Sequence, residues 1–157
     1  MTSTTKTPAS QVRWRVTALV MALCFISHLN RSSMSVAGTG QIMDEAGFSP
    51  TRMGWVYTAF LLTYSLCMIP GGMFIDRKGP RIALMWVGFG SAAFGVLTGL
   101  VGWLGLAGVF LLPLLIGIRG LMGMVSAPLH PAGARVVGNW FPPAQQSWAN
   151  GIVTAAA

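Results

Sequence analysis

The chain has 157 residues, of which 54% are apolar and only 8% charged, against roughly a quarter charged in an ordinary soluble domain. That composition excludes a soluble globular domain and points to an integral membrane protein. Ten lysines and arginines against three acids leave a net charge of +7, but the cations form no polar basic face that could engage nucleic acid.

Residues 1–12 form a Ser/Thr-rich tail. A hydrocarbon layer of ~30 Å takes about twenty helical residues to cross, and the first such run lies at about 14–38. A polar loop follows at 41–52, then a second span at about 53–72, with Trp55 and Tyr57 where aromatic rings gather at a membrane interface. Residues 72–81 read GMFIDRKGPR and place Asp76, Arg77, Lys78 and Arg81 within six positions, as expected of a tight charged turn between two spans. The third span covers about 82–104, and its small residues (Gly88, Ala92, Gly95, Gly99, Gly102) suit close helix packing in lipid. After a very short turn the fourth span runs about 108–135, longer than a bilayer requires, and carries Pro113, Pro128 and Pro131. Residues 139–146 are expected as a loop, and 147–157 begin a fifth, incomplete span. The fold class expected is all-α and integral to the membrane.

Alternating crossings put Lys6, Arg13, Arg15, Arg77, Lys78, Arg81 and Arg135 on one side, and only Arg52, beside Asp44 and Glu45, on the other. Positive residues collect in short loops on the cytoplasmic side, so the N-terminus is expected inside. The first apolar run is too long for a cleaved signal peptide and lacks a cleavage site. Cys24 and Cys67 both fall inside spans and read as small apolar residues, with neither disulfide nor metal spacing. No His/Cys/carboxylate cluster, nucleotide loop or Ser-His-Asp set is present, so no enzyme, cofactor or metal is expected.

Arg31 in the first span and Arg119 near the middle of the fourth each cost about 2.5–3.5 kcal/mol to place in a bilayer, so both should face protein or an aqueous cavity. A structural cation bonded to helix carbonyls is one reading. An anion site is the other, favoured because the first four spans contain no Asp or Glu, and guanidinium binds carboxylate or phosphate in bidentate fashion. Arg119, Gly123, Ser126 and His130 recur at helical spacing along one stripe of the fourth span. In the first span Ser27, His28, Asn30, Arg31 and Ser35 form a second polar group.

Segment 72–81 resembles the signature of the major facilitator superfamily, a Gly-x-x-x-Asp-Arg-x-Gly-x-Arg pattern between its second and third helices. Gly72, Asp76, Arg77, Gly79 and Arg81 occupy those places, with Pro80 where the family more often carries Arg or Lys. A narrower likeness, to the anion:cation symporter branch, covers nearly the whole chain. It is carried by LNRSSMSVA at 29–37, RGLMG at 119–123, APLHPA at 127–132 and NWFP at 139–142. By resemblance, Arg31 and Arg119 line a substrate cavity with Asn30, Ser126 and His130 as further substrate-binding candidates. Gly72, Asp76, Arg77, Gly79 and Arg81 would form a cytoplasmic gating loop.

Two departures bear on coupling. Asn30 stands where the branch commonly has Asp, and Ser126 where it commonly has Glu; neither can carry a proton. His130 or His28 could take that role, as imidazole titrates near neutral pH, or could be a hydrogen-bonded packing residue. Gln145 and Gln146 also replace the Glu-Arg that usually follows the Trp-Phe-Pro stretch.

The superfamily has twelve spans in two halves, with the site between them. This chain stops within the fifth span and is expected to be the N-terminal part of such a carrier, the missing C-terminal half being its partner. The function expected of the whole is secondary transport of a small organic anion, of carboxylate or sugar-acid type, across the cytoplasmic membrane by alternating access. The alternative, a small multi-span partner or assembly subunit without transport of its own, accounts for the length but not for segment 72–81.

Overall fold

A computed structural model of the chain describes residues 11–37, 43, 47–103 and 108–156. Among them the regular structure is entirely helical: α1 (Gln11–Ala37), α2 (Pro50–Lys78), α3 (Pro80–Trp103), α4 (Gly108–Ser126), α5 (Leu129–Trp140) and α6 (Pro143–Ala155). Four stretches are long and apolar enough to cross a bilayer: Gln11–Val36, Pro50–Lys78, Pro80–Trp103 and Phe110–Trp140. An all-helical spanning chain follows from lipid offering the backbone no hydrogen-bond partner. The tail and most of the loop expected at 41–52, with Asp44 and Glu45, lie outside the described residues.

The ends of α2 are set by local chemistry. Ser49 caps its N-terminus, accepting from the Arg52 amide at 3.4 Å, and Pro50 occupies the first turn, where no amide is missed. At the other end Gly79 adopts φ +84° and returns its amide to the Ile75 carbonyl at 2.8 Å, a conformation that favours glycine. Pro80 then opens α3. Residues 72–81, expected as a charged loop, are therefore helix up to Lys78, a single glycine, and helix again. Arg77 and Lys78 end a helix whose carbonyls favour positive charge.

The fourth span differs in a similar way. It is two helices, α4 and α5, with a turn at Ala127 and Pro128. Pro128 and Pro131 lack the amides that would continue the ladder across the joint. Backbone bonding nevertheless continues across the joint, Ala127 bonding back to Gly123 (3.1 Å) and Ala132 to Pro128 (2.9 Å). Asn139 and Trp140, expected in a loop, close α5; Phe141 and Pro142 form the break, and α6 begins at Pro143 rather than near residue 147. Proline at 142 and 143 stops one helix and starts the next.

Helices in lipid gain little from apolar burial against each other, so contact is decided by how closely backbones approach. One close backbone approach is that of α2 against α4. A Cβ at Gly123 would overlap the Phe60 carbonyl and the Thr63 hydroxyl. Thr63 Oγ1, within reach of the Ala59 carbonyl on its own helix (2.8 Å), also reaches the Gly120 carbonyl across the interface (2.7 Å). One buried apolar cluster joins α1, α3, α5 and α6 around Val20, Cys24, Val87, Val137 and Ala149, and a second joins α1 to α4 around Met34, Met53, Val56 and Leu115. Both cysteines are free, Cys24 buried and Cys67 half-buried. Of the small-residue stripe on α3, Gly95 packs on the Asn30 amide and Gly88 on Leu23, but Gly99 and Gly102 meet nothing and face outward. Tyr57 donates from its hydroxyl to the Met34 carbonyl of α1 at 3.3 Å.

Alanine ordinarily improves a helix over glycine by about 1 kcal/mol, whereas overpacking a tight contact costs about 1–3 kcal/mol. Gly123→Ala should therefore lower the thermal unfolding midpoint of the detergent-solubilised protein. Gly117→Ala, whose methyl would meet nothing within 4 Å, should leave it unchanged or raise it. Equal midpoints would refute the close approach at Gly123.

Candidate functional site

Arg119 projects from the middle of α4 and is only 5% exposed. Its Nη1 contacts the Met122 thioether at 3.7 Å, and its Nε is buried without a hydrogen-bond partner. A guanidinium carries five donors, so a thioether contact leaves most of its capacity unused. Arg31, on α1, lies with its guanidinium carbon 5.8 Å from the centre of the Phe60 ring, a cation–π distance. Unlike Arg119 it is exposed.

The two arginines line one cavity of about 240 Å³, together with Ser32, Tyr57, Phe60 and Leu61. Among the described residues its walls contain no carboxylate. A smaller cavity of about 40 Å³ adjoins it, sharing Arg31 and Phe60, and is walled by His28, Tyr64, Ser126 and His130 among others. Arg31 thus stands at the junction. The stripe read along the fourth span is divided by this geometry: Arg119 enters the larger cavity, Ser126 and His130 the smaller, and Gly123 is consumed by packing on α2.

Asn30 is not brought to this site. Its side-chain amide turns to α3, where Nδ2 donates to the Ser91 carbonyl at 3.4 Å, and it lines an apolar groove of about 820 Å³ between α1 and α3. Neighbouring positions on a helix point about 100° apart, so adjacency to Arg31 does not put Asn30 on the same face. Ser126 is linked to that region through its hydroxyl, 3.4 Å from the Ser91 hydroxyl.

The charged segment is also rearranged. Asp76 pairs with Arg135 on α5, Oδ1 to Nη1 at 3.9 Å, with both side chains mostly exposed. Arg77, on the same last turn, is exposed, and Arg81 lines the α1–α3 groove. Gly72 lies inside α2, and a Cβ there would meet nothing; Gly79 is the position whose backbone needs glycine.

Arg135, Phe60, Tyr57 and Tyr64 are site residues that sequence reasoning did not single out. Arg135 was visible as a cation on the same side as Asp76, but its pairing needs the path of α5. Phe60 and Tyr64 look like ordinary apolar helix residues and Tyr57 like an interfacial aromatic, and only the α1–α2 contact shows what they face.

Residues 20–157 match the family model of the Major Facilitator Superfamily. The chain is 32% identical over 147 residues to a D-galactonate transporter of Escherichia coli O6:H1 (strain CFT073), with 91% of the chain and 31% of that protein covered. It is 30% identical over 153 residues to a "Probable galactarate/D-glucarate transporter" of Bacillus subtilis (strain 168), covering 96% of the chain and 33% of that protein. A "Probable L-galactonate transporter" of Escherichia coli (strain K12) is 34% identical over 131 residues, 81% of the chain and 27% of its own length. The chain thus spans about a third of the length of these relatives.

Proposed function

This chain belongs to the Major Facilitator Superfamily, and from that membership we propose that the whole protein is a secondary transporter of small organic anions of the sugar-acid type. The chain supplies its N-terminal part, and a C-terminal half closes the cavity from the other side. The observation that carries the reading is the cavity itself: two arginines from different helices, one of them buried with an unpartnered Nε, and no acid among the described residues on its walls. A carboxylate ligand would satisfy those donors in bidentate fashion and supply the missing charge. The named activities of the relatives agree, since galactonate, galactarate and glucarate are all carboxylates carrying hydroxyls. A partner subunit without transport would gain nothing from two arginines held in hydrocarbon at about 2.5–3.5 kcal/mol each. Neither an enzymatic role nor a cofactor is part of this reading.

Alternating access then proceeds by rocking of one half against the other around the site. Asp76 and Arg135, tying the end of α2 to α5 on the proposed cytoplasmic face, are the latch of that movement, with Gly79 shaping the turn between α2 and α3. An exposed pair of this kind is worth about 0–1 kcal/mol, weak enough to open and close in each cycle. The seven-to-one distribution of cations supports a cytoplasmic N-terminus in the cytoplasmic membrane.

Three measurements check this. In the full-length carrier, Arg31→Gln and Arg119→Gln should each weaken binding of D-galactonate at least tenfold, since a charge-assisted hydrogen bond contributes about 1.5–3 kcal/mol. Lysine at either position should restore it only in part, keeping charge but losing the fork. Unchanged binding in both Gln variants would sink the anion cavity. For the latch, Asp76→Asn and Arg135→Gln should each slow transport more than they weaken binding; transport at the native rate in both would remove it. For orientation, with Cys24 and Cys67 replaced, an impermeant thiol reagent added outside intact cells should label Thr51→Cys and spare Lys78→Cys. The reverse pattern would invert the topology.

A further inference from the structure

The two arginines of the cavity are held in different ways. Arg119 is buried in the middle of α4, whereas Arg31 is exposed on α1. A long exposed side chain samples many rotamers and loses that freedom when a ligand fixes it. Neither cavity that Arg31 lines has an acid on its walls among the described residues. What faces Arg31 instead is an aromatic ring, that of Phe60 on α2, 5.8 Å from the guanidinium carbon to the ring centre.

That ring is fixed from several sides. Phe60 is buried, and its backbone carbonyl lies where α4 comes closest, against Gly123. Thr63 Oγ1 is within reach of the same carbonyl at 3.1 Å and of the Gly120 carbonyl at 2.7 Å, so this turn of α2 is tied to α4. One turn further on, the Tyr64 ring lies nearly parallel to that of Phe60, with centres 6.0 Å apart and planes 13° from each other. Phe60 lines both cavities, as Arg31 does. An immobile ring thus stands beside a mobile cation.

The chemistry of the contact matters as much as its place. An aromatic face attracts a cation through its quadrupole. It neutralises no charge and accepts none of the hydrogen bonds that a carboxylate would take. A resident acid beside Arg31 would compete with an anionic ligand for the same N–H groups; a ring leaves them free. Guanidinium suits this double use, since it stacks on aromatic faces and presents its donors in the plane of the fork.

We propose that Phe60, backed by Tyr64, is a positioning residue of the anion site: its ring holds the Arg31 guanidinium in place for the ligand without occupying its donors. This rests on the anion cavity proposed above. The ring contributes to affinity by reducing the freedom that Arg31 loses on binding, so weakening the ring's quadrupole weakens the anion through Arg31.

The test uses the full-length carrier with D-galactonate as the probe. Phenylalanines carrying one, two and three ring fluorines are incorporated at position 60; fluorine withdraws density from the ring face while nearly preserving its shape. Affinity should fall stepwise along the series, by about two- to fivefold in all, as expected of a cation–π contact at an exposed cation. The same series in an Arg31→Gln background should be flat, since the cation is gone, and in an Arg119→Gln background it should keep its slope. A flat series in the native background, with Arg31→Gln still weakening binding tenfold, removes the positioning role and leaves the anion cavity standing. An equal slope in the Arg31→Gln background overturns it too, because the ring would then act on the ligand or the packing. Affinity that rises with fluorination also overturns it, the ring then holding Arg31 away from the anion. If Arg31→Gln and Arg119→Gln both bind galactonate as the native protein does, the anion cavity fails and the positioning role falls with it.

Discussion

Gly123 lets the backbone of α4 settle against the Phe60 carbonyl and the Thr63 hydroxyl of α2, and much of the bundle takes its positions from that approach. Helices in lipid lack the hydrophobic drive that assembles soluble cores, so a missing side chain and one interhelical hydrogen bond carry unusual weight. Thr63, reaching the Gly120 carbonyl, holds the same pair of helices one turn away. With α2 and α4 in this register, Phe60 stands on the walls of both polar cavities and Arg119 is carried below the surface. The site is thus a consequence of packing, not an addition to it.

A guanidinium in the membrane interior without a resident acid is an unfinished electrostatic arrangement. Arg119 makes contact with a thioether, and Arg31 with an aromatic face; both are weak substitutes for a carboxylate. This leaves the donors available to a ligand and keeps the cavity from being neutralised from within. The contrast lies at the end of α2, where Asp76 does find an arginine, at an exposed position where the bond is weak. Among the described residues the one ion pair is exposed, and the buried Arg119 has no acid beside it.

Much of the fold was legible from the chain itself. Four apolar runs of membrane length, the shortage of charge and the distribution of cations follow from one rule, that hydrocarbon does not solvate ions or bare peptide groups, and this rule acts on composition one segment at a time. A tight turn within segment 72–81 was legible too, and the structure narrows it to Gly79, where glycine followed by proline ends one helix and starts the next. What was not legible was the extent of short breaks: segment 72–81 is helix on both sides of one residue, and the fourth span, read as one long run carrying three prolines, is interrupted at Ala127 and Pro128. Proline marked those places without saying whether a helix would stop, kink or resume.

The site divides along the same line. Residue type alone picked out Arg31 and Arg119, because each is expensive in lipid wherever it points. Which side chains share a cavity depends on helix rotation and register, and these are set by contacts between residues far apart in the chain. Asn30 stands next to Arg31 yet faces α3; His28 and His130 stand a hundred positions apart yet line one cavity; Asp76 passes its neighbours to meet Arg135. Sequence determined which groups had to be kept from lipid, since that cost belongs to each residue separately. Only the tertiary structure decided which of them meet, since that depends on how closely two backbones can approach.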